Sequence, residues 1–123
     1  MQATKKRNLL LVEDHADTTD AVKRLLTKEG YFVLTAKDVQ SALDISNSIK
    51  VDLVIADIGL PDGTGYDLMK QLAAKYGMKG IALTGRTDPE YKQWATEAGF
   101  SDFVEKPYDF EKLKKAIREA IAT

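Results

Sequence analysis

Five short apolar runs recur along the chain, Leu9 to Val12, Tyr31 to Leu34, Val51 to Ala56, Ile81 to Leu83 and Phe100 to Val104, each bounded by polar residues or glycine. Runs this short, rich in branched and aromatic residues, predict β-strands. Between them, apolar and small residues return at helical spacing: Val22, Leu25 and Leu26; Ala42, Leu43 and Ser46; Leu68, Met69 and Leu72; Tyr91, Trp94, Ala95 and Ala98. The last stretch is the clearest, with Phe110, Leu113, Ala116, Ile117, Ala120 and Ile121 on one stripe and Lys112, Lys114, Lys115 and Arg118 off it, which predicts an amphipathic helix. Asp38 and Asp109 stand where N-caps belong, and Gly30, Gly77 and Gly99 where a left-handed C-cap is needed. Strand and helix therefore alternate five times, which predicts an α/β fold with parallel strands, right-handed crossovers and helices on both faces of the sheet. The run Val51 to Ala56, apolar at nearly every position, belongs in the middle, covered on both sides. A doubly wound (βα)5 sheet of order 2-1-3-4-5 follows, and ligands bind such sheets beyond the C-terminal strand ends, where strands 1 and 3 diverge.

At 123 residues the chain fits one domain, expected over residues 8–122 after a short tail of residues 1–7. No internal repeat, low-complexity tract or Pro/Gly/Ser linker interrupts it, so no output domain is expected. Lys and Arg number 18 against 19 Asp and Glu, a balance that offers no general field for nucleic acid or an anionic membrane. A partner must be recognised by a local surface. No cysteine is present, which excludes disulfides and thiolate metal sites. The basic N-terminus leads into only four consecutive apolar residues, Leu9 to Val12, too few for a signal-peptide core or a membrane span, so the expected location is cytoplasmic.

The positions just past each predicted strand are Glu13 and Asp14, Asp57, Thr84, and Lys106. All the reactive groups fall on one edge. Three carboxylates gathered there repel one another unless a cation joins them. An all-oxygen donor set suits Mg²⁺, with Mn²⁺ also compatible, and leaves coordination positions for a phosphate oxygen.

Four segments, LLLVEDH (9–15), DLVIADIGLPDGTG (52–65), IALTG (81–85) and DFVEKP (102–107), appear in this order and spacing. Together they resemble the receiver domains of two-component response regulators, a flavodoxin-like fold, over residues 8–121. The resemblance implies that Asp57 is the phosphoryl-accepting nucleophile and that Asp14, Asp57 and the Gly59 backbone carbonyl hold Mg²⁺. It places Glu13 at an acidic position that commonly reaches the metal through water. Glutamate there departs from the commoner aspartate, and its extra methylene leaves both a direct and a water-mediated contact open. Lys106 matches the lysine that pairs first with the aspartate and then with a phosphate oxygen, and Thr84 the hydroxyl that bonds another. Gly59 and Arg86 match positions that flank the acyl phosphate and tune its lifetime, while small Gly85 leaves an approach open. Thr84 drawn toward the phosphate would vacate space for Phe103 to turn inward, remodelling the face of the fourth helix, fifth strand and fifth helix. The implied phosphodonor is a histidine kinase or histidine phosphotransfer protein, and the implied listener a downstream protein or an attached domain. The wording EDHADT, DIGLPDGTG and EAGF is most similar to receivers attached to hybrid sensor histidine kinases. Such a domain promotes its own phosphorylation and dephosphorylation and is not a turnover enzyme.

Taken singly, these residues have plainer readings. Glu13 and Asp14 are also a strand end entering a helix N-terminus, Asp57 a turn aspartate, and Thr84 and Lys106 turn residues; only their joint occurrence on one edge favours the site. His15, the only histidine, reads as an exposed rim residue, since no second imidazole completes a metal site. Tyr91 and Trp94 read as partly buried packing, Gly63-Thr64-Gly65 as a turn into the third helix, Lys112 to Arg118 as a solvated face, and Pro107 as a structural residue whose bond in receivers is often cis. Two rival functions share the topology: a flavodoxin-like cofactor binder, disfavoured because the acids after strand 1 would repel the cofactor's phosphate, and a receiver-shaped interaction module that is not phosphorylated, disfavoured by the intact set of reactive residues.

Overall fold

The computed structural model describes residues 6–85, 88–106 and 109–122. In chain order its elements are β1 (Asn8–Val12), α1 (Ala16–Lys28), β2 (Phe32–Ala36), α2 (Val39–Ser48), β3 (Leu53–Asp57), β4 (Gly59–Leu60), β5 (Gly63–Thr64), α3 (Gly65–Tyr76), β6 (Lys79–Thr84), α4 (Pro89–Ala98), β7 (Phe100–Glu105) and α5 (Phe110–Ala122). Five strands form one parallel sheet in the order β2-β1-β3-β6-β7. With the small β4–β5 hairpin set aside, this is the expected 2-1-3-4-5 order.

Alternation along each strand divides the interior into two cores. Leu10 and Val12 of β1, Val54 and Ala56 of β3, and Ala82 of β6 pack under Ala42 of α2, Leu68, Met69 and Leu72 of α3, and Ala95 and Ala98 of α4. The other face carries Leu9, Leu11, Leu53, Ile55, Ile81 and Leu83 beneath Val22 and Leu26 of α1 and Leu113, Ala116, Ile117 and Ala120 of α5. Every residue of β3 is buried, as its central position requires. Each fully buried Leu or Ile contributes on the order of 2 kcal/mol, enough in aggregate to support a cluster of charges at the sheet's end. Gly80 lets α3 approach closely: a Cβ there would collide with the Met69 sulfur and lie 2.9 Å from Val54 Cγ1.

Local chemistry sets the helix ends. Asp38 caps α2 by accepting from the Ser41 N–H at 2.8 Å, and Asp109 caps α5 through the Glu111 and Lys112 N–H groups. Gly30, Gly77 and Gly99 all take positive φ, as expected of C-caps. At its C-terminal end α2 is joined to α3, where Lys75 Nζ and the Tyr76 hydroxyl both donate to Asn47 Oδ1.

Several boundaries differ from the sequence reading. Tyr31 precedes β2 and Val51 precedes β3, while β6 begins earlier, at Lys79. In each case the sheet ladder, which apolar content alone does not define, sets the limit. Leu25 does not join the buried stripe of α1, being 38% exposed, and Trp94 is 47% exposed, more open than packing alone would have it. Gly63-Thr64-Gly65 does lead into α3, with Thr64 Oγ1 capping the Asp67 N–H at 3.2 Å, but Gly63 and Thr64 also pair with Leu60 and Gly59.

Candidate functional site

Each strand end delivers one part of the site. Glu13 N–H donates to the Ala36 carbonyl at 3.0 Å, extending the β1–β2 contact one residue beyond Val12 and carrying the glutamate side chain inward. Asp57 ends β3 opposite Leu83 of β6, so Thr84, the next residue of β6, lies just beyond it on the neighbouring strand. Lys106 follows β7, and its N–H donates to the Thr84 carbonyl at 2.8 Å. One backbone bond therefore holds the lysine and the threonine side by side.

The geometry is that of a partly buried ion cluster. Lys106 Nζ is 2.7 Å from Asp57 Oδ2 and 3.4 Å from Glu13 Oε2. Glu13 is 2% exposed, Asp57 7% and Thr84 6%, whereas Asp14 opens to solvent. An isolated carboxylate so deeply buried would cost several kcal/mol, so the neighbouring cations are a condition of its being there. Burial alone would lower the Lys106 pKa, but the hydrogen bond to Asp57 and the charges of Asp57 and Glu13 outweigh it and raise it above 10.5. A lysine with a raised folded pKa contributes stability that is fully present below its unfolded pKa and lost as pH climbs through the folded one. The contribution of this pair should therefore be intact at neutral pH and disappear only in an alkaline window beginning near 10.5, a limb that Lys106→Met should remove from a pH series of denaturation midpoints.

His15 is exposed, as expected, with 71% of its side chain accessible. It is nonetheless engaged: Nδ1 lies 2.7 Å from Glu13 Oε1 and 3.3 Å from Asp14 Oδ1, and its backbone N–H donates to Glu13 Oε1 at 3.2 Å. The bond to Glu13, then the charges of Asp14 and Glu13, raise the imidazole pKa above 6.5. Sequence reasoning missed this contact because it sought a second histidine and not a carboxylate two residues back.

Ligand atoms of Glu13, Asp14, His15 and Asp57 all lie within 4.8 Å of one another. Three carboxylates at that spacing fit a hard divalent cation, and the donor set is compatible with Mg²⁺. Gly59, whose carbonyl is the fourth expected ligand, opens β4 two residues past Asp57, in a hairpin of two pairs, Gly59 with Thr64 and Leu60 with Gly63. Among the described residues, a Cβ at Gly85 would meet nothing within 4 Å. Phe103 on β7 is half-buried, with Lys92 Nζ 4.8 Å from its ring centroid. Arg86 and Pro107 lie outside the described residues.

Two further residues shape the site. Gly65, the first residue of α3, is buried against the backbone of Asp57: a Cβ there would overlap the Asp57 carbonyl oxygen and lie 3.0 Å from Ile58 Cα. Its N–H donates to the Ile58 carbonyl at 2.7 Å. Asp62, at the hairpin tip, reaches across to α2, where Oδ1 accepts from the Val39 N–H at 2.7 Å and Oδ2 from the Gln40 N–H at 3.0 Å. The Pro-Asp-Gly wording marks a turn, but nothing in it points to a helix more than twenty residues upstream.

Comparison with known proteins shows the family and the fold. The sequence pattern of the response regulator receiver domain matches residues 9–118, and the chain belongs to that family, the receiver domains of two-component systems. It is 34% identical over 113 residues to the transcriptional regulatory protein KdpE of Mycobacterium tuberculosis, covering 92% of this chain and 50% of that protein. With the transcriptional regulatory protein CpxR of Escherichia coli it shares 33% over 110 residues, 89% of this chain and 47% of that one. The chain thus spans about half the length of these curated relatives. Among solved structures, it superposes on the chemotaxis response regulator CheY4 of Vibrio cholerae with a TM-score of 0.89 at 28% identity, covering 94% of this chain and 99% of that one. A signal receiver domain of an HD domain-containing protein from Pseudomonas fluorescens gives 0.91 at 29% identity, covering 99% and 91%. Among the described residues no helix is long and apolar enough to cross a membrane.

Proposed function

We propose that this chain is a phosphorylation-dependent cytoplasmic switch in which Asp57 accepts a phosphoryl group from the phosphohistidine of a histidine kinase or a histidine phosphotransfer protein. The observation that carries the reading is the 2.7 Å pair between Lys106 and Asp57 beside the carboxylates of Glu13 and Asp14. An Asp57 carboxylate oxygen attacks phosphorus, the P–N bond breaks as the O–P bond forms, and the imidazole leaves. Lys106 exchanges the carboxylate for a phosphate oxygen, and the Thr84 hydroxyl donates to another, so the charge of the transferred group is met as it arrives. Glu13, Asp14, Asp57 and the Gly59 carbonyl would hold Mg²⁺, or Mn²⁺, which when bound supplies further positive charge to the phosphoryl oxygens. The domain promotes its own modification and its reversal and does not turn over a separate product.

Movement of Thr84 toward the phosphate opens room for Phe103 to swing inward from beneath Lys92, altering the face of α4, β7 and α5 that a downstream protein or an attached domain reads. A partner shifts this equilibrium only by its differential affinity for the two states. Incubation with Mg²⁺ and acetyl phosphate should add one phosphoryl group by intact mass, and Mg²⁺ with beryllofluoride should change the fluorescence of Trp94, which packs edge-on to Tyr91 and Tyr66. Absence of any adduct would overturn the proposal. Arg86, a long cation two residues past Thr84, is proposed to tune the lifetime of the acyl phosphate together with Gly59. A charge acting with about 0.5–1 kcal/mol changes a rate roughly two- to fivefold, so Arg86→Ala should change the autodephosphorylation rate by that factor, and an unchanged decay would remove Arg86 from this role.

A further inference from the structure

We propose that Asp62 is a positioning residue for the metal site, clamping the hairpin that carries the Gly59 carbonyl to the first turn of α2, and so coupling metal binding to the order of that helix. The inference rests on the reading of Gly59 as a metal ligand. A hairpin of only two pairs is too small to hold its own shape, so its position depends on outside anchors. At its C-terminal base these are the Gly65 N–H to Ile58 carbonyl bond and the Thr64 cap of α3. The tip has a different anchor, the two bonds from the Asp62 carboxylate to the Val39 and Gln40 N–H groups. Gly63 packs beside it, since a Cβ there would come within 3.3 Å of Val39 Cγ2.

The chemistry favours the clamp. The first N–H groups of a helix have no intrahelical partner, and a carboxylate meets both their hydrogen-bonding need and the positive end of the helix dipole. Asp38, the N-cap of α2, accepts from the Ser41 N–H, so the Asp62 carboxylate accepts from the two earlier donors, Val39 N–H and Gln40 N–H. The division separates two roles. Asp38 bonds within the first turn of α2, whereas Asp62 ties α2 to a segment three residues from Gly59. By thermodynamic reciprocity, whatever binds at the Gly59 carbonyl and steadies the hairpin must steady the first turn of α2 by the same factor.

The test titrates the full chain with Mg²⁺ alone, measuring affinity by NMR chemical shifts and following amide exchange at Val39 and Gln40. In the wild type, saturation with Mg²⁺ should slow exchange at those two amides. Asp62→Ala should weaken Mg²⁺ affinity about threefold and abolish that slowing, with Asp62→Asn intermediate. Asp38→Ala should speed exchange at Ser41 yet leave Mg²⁺ affinity within experimental error, a difference that mere helix stabilisation would not produce. Unchanged affinity in Asp62→Ala, or an equal loss in Asp38→Ala, overturns the inference and leaves the proposed switch standing. A wild-type chain that binds no Mg²⁺ overturns the metal reading itself, and this inference with it.

Discussion

Asp57→Asn should abolish acyl phosphate formation, lowering labelling by acetyl phosphate by at least about 10³-fold, while the protein stays folded. An amide differs little from a carboxylate in shape, but it carries no negative charge to attack phosphorus. Folding should survive because the substitution removes one of three neighbouring carboxylates and leaves Lys106 within 3.4 Å of Glu13. Relief of repulsion among the acids and loss of the 2.7 Å pair oppose each other, so the net change in stability should be about 1 kcal/mol or less. Mg²⁺ affinity should fall, since a proposed ligand has lost its charge. Intact mass, thermal melting and metal titration on the same preparation separate these effects. Labelling equal to wild type would refute Asp57 as the acceptor, and peptide mapping would then show whether Glu13 or Asp14 had taken its place.

The second large effect is expected from a residue with no chemistry of its own. Gly65→Ala should destabilise the protein by about 3 kcal/mol, or roughly 10 °C in Tm, and slow phosphorylation at least tenfold. The new methyl group would overlap the Asp57 carbonyl oxygen and press on Ile58 Cα, and these are backbone atoms that cannot turn aside as a side chain does. Either α3 withdraws or the Asp57 main chain moves, and a shift of that kind is felt directly in the aim of the nucleophile. Gly63→Ala should be milder, because among the described atoms its methyl group meets a side chain, Val39 Cγ2 at 3.3 Å, and no backbone. Differential scanning calorimetry with acetyl phosphate kinetics checks both variants, and a Gly65→Ala protein with wild-type melting would show that the close approach is not needed.

The contrast between these residues marks how far the sequence could be read. The five main strands and their order were legible because short runs of continuous burial, as in Leu9 to Val12 and the wholly buried β3, are written into local composition. Glu13, Asp14, Asp57, Thr84 and Lys106 were legible as a group because a parallel sheet places every strand's C-terminal end on one edge. Legibility failed where a contact depends on two segments meeting. The β4–β5 hairpin is too short to have a period, Leu25 fits the apolar spacing of α1 yet lies beyond the cover of its neighbours, and the reach of Asp62 to Val39 exists only once the crossover is folded. Gly65 belongs to the same class: the sequence marks a turn there, but not the backbone against which it rests.

The parallel sheet also decides how such a domain can be joined to others. β1 begins at Asn8 on the edge away from Asp57, where Asn8 is tied to Asp52 and Lys50, just ahead of β3. α5 starts near the charged edge and runs back, so that Lys79, at the foot of β6, donates to the Ala120 carbonyl at 3.2 Å. Both ends of the described fold thus emerge at the quiet end of the sheet. Grafted at either end, a neighbour would leave the reactive edge clear for the proposed phosphodonor and would sense the proposed modification only through the flanks of the domain, which makes the architecture a portable cassette.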